Sequence, residues 1–164
     1  MNDPLIEIDA DVNHYGMGQL QSDGNLNEFT STAFNDFVGS NYSSNHNSLS
    51  IIHMNIRSIS KNYDNFVASL DSINLKFDVI AITESWLKNP TLDMYFPGYV
   101  SYHSIRPSRS GGGSALYIKN HLVSSLIIGT TVNNDDIECV FAEIRHNNGK
   151  VVVGSIYIDP LTAT

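Results

Sequence analysis

The chain has 164 residues, 41% of them apolar, which suits one domain with a core and leaves room for a tail, and its formal net charge is −8. No stretch approaches the roughly 20 apolar residues of a membrane span. Met1-Asn2-Asp3-Pro4 puts no basic residue ahead of an apolar run, so the chain is read as intracellular (nucleus or cytoplasm undistinguished), not secreted and without a membrane partner.

Residues 1–48 hold seven acids (Asp3, Glu7, Asp9, Asp11, Asp23, Glu28, Asp36) and no Lys or Arg. Residues 49–164 hold the other ten acids and all nine bases, so the net charge belongs almost wholly to the first segment. Rich in Asn, Ser, Asp and Gly, that segment reads as an acidic, Ser/Asn-rich leader, largely disordered, with a weak helix over Asn27–Val38. An acidic chain gains no long-range help in approaching nucleic acid.

From Leu49 the pattern sharpens. Leu49–Ile56 is apolar and β-branched and predicts a buried strand. Over 61–75, Tyr63, Phe66, Val67, Leu70 and Ile73 recur at helical spacing, with Ser60 as the expected N-cap. Phe77–Thr83 predicts a second buried strand, giving a βαβ-like unit with parallel neighbours. Short strands are then expected at Tyr99–Ile105 and Ser114–Lys119, flanking a glycine run, and at Leu122–Ile128. Ile137–Arg145 and Lys150–Ile158 flank His146-Asn147-Asn148-Gly149, a strong hairpin signal. The fold class is α/β, a mixed β-sheet with a flanking helix.

Cys139, the single cysteine, excludes an intrachain disulfide framework and a Cys-cluster zinc site. It lies in an apolar run and reads as a buried, inert thiol. Glu84 follows a mostly apolar strand and would sit at its carboxyl end, where ligands gather in open α/β sheets. A carboxylate there can bind Mg²⁺ or simply face solvent. Asn55 ends the neighbouring strand. It could hold that carboxylate or a metal-bound water, or serve as a turn residue. Arg57 could meet a phosphate or stay solvated. Gly111-Gly112-Gly113 could admit a phosphate to the backbone, but lacks the Lys-Ser/Thr of a P-loop. Tyr157 could hydrogen-bond a phosphate oxygen or merely pack. The six histidines show no paired ligand spacing, and Ser85 lacks a nucleophile elbow.

In order, these segments resemble the endonuclease/exonuclease/phosphatase superfamily, the deoxyribonuclease I-like fold. They are most similar to the endonuclease domain of LINE-type (non-LTR) retrotransposons. The residues that carry the likeness are Ile51-Ile52-His53-Met54-Asn55-Ile56-Arg57-Ser58-Ile59, Phe77-Asp78-Val79-Ile80-Ala81-Ile82-Thr83-Glu84-Ser85-Trp86-Leu87, Tyr95-Phe96-Pro97-Gly98-Tyr99, Arg109 to Lys119, and the strand ending in Tyr157. The resemblance covers residues 49–160 and implies one half of a two-sheet sandwich. It implies Glu84 and Asn55 as the metal site with Mg²⁺, Asn55 and Tyr157 as catalytic residues, and DNA as substrate.

Two departures bear on activity. Asp159 stands where the family often has a basic residue, which would weaken phosphate attraction. The family's later Gly-Asp-Phe-Asn-like motif and final Asp-His pair, which by resemblance orient the attacking water and contact the scissile phosphate, are not in this sequence. The expectation is therefore a truncated metal-dependent phosphodiesterase, inactive as this chain and weak in metal binding. Residues 49–160 are expected to supply most of one sheet, with a bare inner face prone to self-association. The alternatives are a non-catalytic relic acting as an interaction module, or a phosphatase-type member with a lipid or sugar phosphate as substrate.

Overall fold

The computed structural model describes residues 6–7, 28–29, 35–36, 49–89 and 95–159. Strands β1 (Ile6–Glu7) and β2 (Glu28–Phe29) form a two-residue antiparallel ladder. The helix expected over Asn27–Val38 is met only in part. Glu28 and Phe29 are extended, residues 35–36 are helical, and the rest, with most of the leader, lies outside the described residues.

The domain proper runs β3 (Ile51–Asn55), α1 (Ile59–Asp71), β4 (Val79–Thr83), β5 (Tyr99–Ser104) and β6 (Ser114–Lys119). It continues with β7 (Ser124–Leu126), β8 (Val132–Asn133), β9 (Ile137–His146) and β10 (Gly149–Ile158). The class is α/β, as expected: a mixed sheet in the order β3-β4-β6-β5, with a flanking helix. β3 and β4 run parallel with Asn55 opposite Thr83, and the other pairs are antiparallel. Parallel strands need a crossover, and α1 supplies it.

β4 is buried along its whole length, because both of its faces are covered. On one face Ile52, Ile80, Ile82, Ala115 and Tyr117 pack with Ile59, Phe66 and Leu70 from the apolar stripe of α1. On the other, Val79, Ala81, Leu116 and Ile118 meet Val140, Ala142 and Ile144 of β9 and Val153 of β10. Those two strands belong to a second sheet, β10-β9-β7, with β8 also paired to β9.

The expected bare inner face is thus corrected. Alternate residues of β9 are apolar and point one way, and the hairpin lays them over the first sheet rather than extending it. The outside of β10 does stay open, and Val152, Ile156 and Ile158 there are each more than half exposed.

Two local expectations also shift. The helix starts at Ile59, not after a Ser60 cap, and Ser58 ahead of it sits at φ 84 without a side-chain cap bond. The first N–H of the helix is met from across the rim instead, Ile59 donating to the Ser85 carbonyl (3.0 Å), while the Asn62 amide donates to the carbonyls of Ile56 (2.9 Å) and Arg57 (3.1 Å) ahead of the helix. The β9–β10 turn places Asn147 and Asn148 between paired His146 and Gly149, and Asn147 adopts the left-handed φ of 54 that such turns demand. Cys139 is buried, as expected, and its thiol donates to the Thr130 carbonyl.

Candidate functional site

Parallel pairing brings the carboxyl ends of β3 and β4 side by side. Asn55 Nδ2 donates to Glu84 Oε1 at 3.1 Å. The Glu84 side chain keeps 18% of its surface open, so it can still meet a ligand. Arg57 Nε lies 3.9 Å from Glu84 Oε2, but Arg57 is 79% exposed, and a pair so wet and long contributes little. On the same strands His53 Nε2 and Thr83 Oγ1 are 3.1 Å apart.

This rim is built from unusual backbone. Among the described residues five non-glycines have positive φ, and four of them (Arg57 at 45, Ser58 at 84, Glu84 at 51, Trp86 at 53) lie here. Such conformations cost energy and persist only where the surroundings over-determine them. The surroundings are visible. The N–H groups of Ser58 and Ile59 donate to the carbonyls of Glu84 and Ser85, while those of Ser85 and Trp86 donate to Gly113 and Gly112.

The glycine run therefore braces the Glu84 turn through its carbonyls. Glycine is required there for space as well as conformation. A Cβ at Gly113 would lie 2.6 Å from Ser85 Oγ, and one at Gly112 would lie 2.6 Å from Arg106 Cζ. Ser85 Oγ and Trp86 Nε1 are buried without hydrogen-bond partners.

β10 crosses over β4, and Ser155 Oγ donates to the Ile82 carbonyl at 2.8 Å. Its C-terminal end brings Tyr157 toward the rim. Burial, and then the charge of Glu84, push the Tyr157 hydroxyl above its ordinary acidity range, so Tyr157 and Glu84 feel one another. Asn55 and Glu84 therefore meet at one end of the sandwich, and Ser155, two residues before Tyr157, is bonded to Ile82, two residues before Glu84.

Asp159 behaves differently from the expectation that it weakens phosphate attraction. It is buried, its Oδ2 accepts from Arg106 at 3.0 Å, and the same oxygen lies 3.2 Å from Arg109 Nη2. Two guanidinium groups offset its charge. Arg106 also makes a two-pronged contact with the fully buried Glu138. Sequence reasoning missed this cluster. The signal for it was Glu138 itself, which shares the inward parity of Val140, Ala142 and Ile144 and so had to find a buried cation.

Among the described residues no group of three or more His, Cys, Asp or Glu side chains could hold a metal ion. What Glu84 and Asn55 offer is one carboxylate oriented by an amide. That donor set fits Mg²⁺, which takes one or two protein carboxylates and completes its shell with water and phosphate oxygens. It does not fit a closed structural zinc site. A cavity of about 320 Å³ opens on the α1 face, between Val67, Leu70, Leu75, Phe96 and Tyr99, and none of the three candidate residues lines it. No helix among the described residues is long and apolar enough to cross a membrane.

No family model matches the sequence. Over 84 residues, 51% of this chain, the sequence is 33% identical to the RNA-directed DNA polymerase from mobile element jockey of Drosophila melanogaster. The chain spans 9% of the length of that relative. The match supports a retrotransposon-derived protein.

Proposed function

We propose that residues 49–159 carry the amide-and-carboxylate part of a metal-dependent phosphodiesterase site of the LINE-type retrotransposon endonuclease kind, whose reaction is the nicking of DNA. The observation that carries this reading is the Asn55–Glu84 contact at the carboxyl ends of two parallel strands. The similarity to a mobile-element protein supports it.

In this reading Glu84 binds Mg²⁺, Asn55 holds the carboxylate in one orientation, and Tyr157 donates its hydroxyl to a phosphate oxygen. The bound ion would supply charge to polarise that phosphate. Activation of water and stabilisation of the leaving oxygen fall, by resemblance, to motifs that these residues do not include. The proposal for these residues is therefore the holding of the cation and contact with the phosphate. A duplex partner would be held loosely, because the leader is acidic.

The test combines Mn²⁺ binding, read by electron paramagnetic resonance, with plasmid nicking in Mg²⁺, for the wild type and Glu84→Ala. Binding that Glu84→Ala removes, with or without nicking, supports the proposal. Wild-type chain that neither binds nor nicks overturns it. That result favours the second reading, a non-catalytic interaction module, for which the exposed Val152, Ile156 and Ile158 on β10 speak.

A further inference from the structure

Arg106 leaves β5 and turns inward between the two sheets, where its side chain is only 5% exposed. Its Nε and Nη2 engage the two carboxylate oxygens of Glu138 on β9. Its Nη1 donates to Asp159 Oδ2, just beyond β10, at 3.0 Å. The guanidinium carbon lies 5.6 Å from the centre of the Tyr157 ring. Gly112 closes the fourth side, with no room for a Cβ. One buried cation therefore touches the glycine run, the start of β9 and the end of β10.

A cluster made only for stability has no need of the Tyr157 face, since the carboxylates already satisfy the charge. The guanidinium lies over the Tyr157 ring, and the hydroxyl on that ring is the part of Tyr157 that a phosphate would meet. We infer that Arg106 is a positioning residue: anchored by Glu138 and Asp159, it sets the orientation of Tyr157 at the phosphate side of the Glu84 rim. The inference rests on the proposed phosphodiesterase reading for what Tyr157 does, though not for where it is held. Arg106 favours the ionised phenol, whereas Asp159, Glu138 and Glu84 oppose it.

The experiment follows the Tyr157 phenol by ¹³Cζ NMR titration in the full chain, with the resonance assigned by Tyr157→Phe. Removing the cation in Arg106→Gln is expected to move the Tyr157 titration to higher pH. Removing one opposing charge in Asp159→Asn is expected to move it to lower pH. Arg106→Lys, which keeps the charge without the planar fork, is expected to fall between wild type and Arg106→Gln. Opposite displacements in folded protein, with Arg106→Lys short of the wild type although its charge is kept, support the inference, since charge alone would leave Arg106→Lys at the wild-type titration. Unchanged Tyr157 titration in folded Asp159→Asn, the milder variant, overturns it even where Arg106→Gln fails to fold. Mn²⁺ binding is measured on the same samples. Loss of binding in the wild type counts against the phosphodiesterase reading alone, because the Tyr157 titration needs no metal.

Discussion

The two ends of the parallel pair β3/β4 are built on opposite plans. At the amino end Ser50, Asp78 and Lys119 are joined in one hydrogen-bonded group. Asp78 Oδ2 accepts from Ser50 N (3.0 Å) and Ser50 Oγ (2.9 Å), and its Oδ1 accepts from Lys119 Nζ (3.1 Å). None of these residues has a positive φ. At the carboxyl end Arg57, Ser58, Glu84 and Trp86 are all in left-handed backbone, and two buried polar atoms lack partners. The same two strands thus end once in a satisfied anchor and once in a strained display of a carboxylate. Strain of that kind gathers where geometry has to serve a ligand rather than the fold.

The largest expected effect comes from the cluster that braces the strained end. Arg106→Met leaves Glu138 fully buried with its charge unmatched, which should destabilise the chain by about 3–5 kcal/mol in urea unfolding. A loss below about 1 kcal/mol would mean that water reaches Glu138 and that the brace is not a brace. Gly112→Ala should cost less. Its new Cβ adds about 1–2 kcal/mol of backbone strain at φ +66 and also pushes on the Arg106 guanidinium, 2.6 Å away. The same urea experiment ranks the two, and the order expected is Arg106→Met above Gly112→Ala.

The satisfied end responds to pH. Burial opposes the Asp78 charge, but hydrogen bonds from Ser50 and the Lys119 ammonium outweigh it and hold the carboxyl below its ordinary value of 3.8. A carboxyl whose folded pKa is depressed stabilises the fold above the unfolded value and ceases to do so as pH falls through the folded one. Wild-type stability should therefore decline as pH drops below about 4. Asp78→Asn should lose about 1.5–3 kcal/mol at neutral pH and show a flatter profile. An unchanged acid slope in Asp78→Asn would remove the anchor from this end of the comparison.

Much of this was legible in the sequence, and the reason differs by feature. Ser114–Lys119 has the bounds expected, and β3, β4, β9 and β10 match to within two residues, because apolar runs and turn residues are local signals. The Asn55–Glu84 meeting could be anticipated because βαβ units are parallel and parallel strands align their carboxyl ends. Two sheets rather than one could not be read so directly. Whether a hairpin extends a sheet or folds over it depends on contacts distant in sequence, such as Val140 and Ala142 against Ala81 and Leu116. β8 is two residues long and carries no periodicity to detect. The Ser60 cap failed because the helix begins one residue earlier, at Ile59, whose N–H finds the Ser85 carbonyl, a partner distant in sequence.

The smallest effect is the sharpest on the strained end itself. Glu84 sits at φ 51, where an L side chain costs roughly 1–2 kcal/mol and glycine does not. Glycine gives back part of that gain through the wider freedom of its unfolded chain, about 0.5–1 kcal/mol. Glu84→Gly should thus be more stable than Glu84→Ala by about 1 kcal/mol, although alanine is the better residue almost everywhere else. Both variants remove the carboxylate, the Asn55 hydrogen bond and the weak Arg57 contact alike, so their difference isolates the backbone. Both should also lose Mn²⁺ binding, which separates what Glu84 does for a cation from what it costs the fold. If thermal unfolding instead ranks Glu84→Ala above Glu84→Gly, the turn after β4 is relaxed and the carboxyl end holds no stored strain.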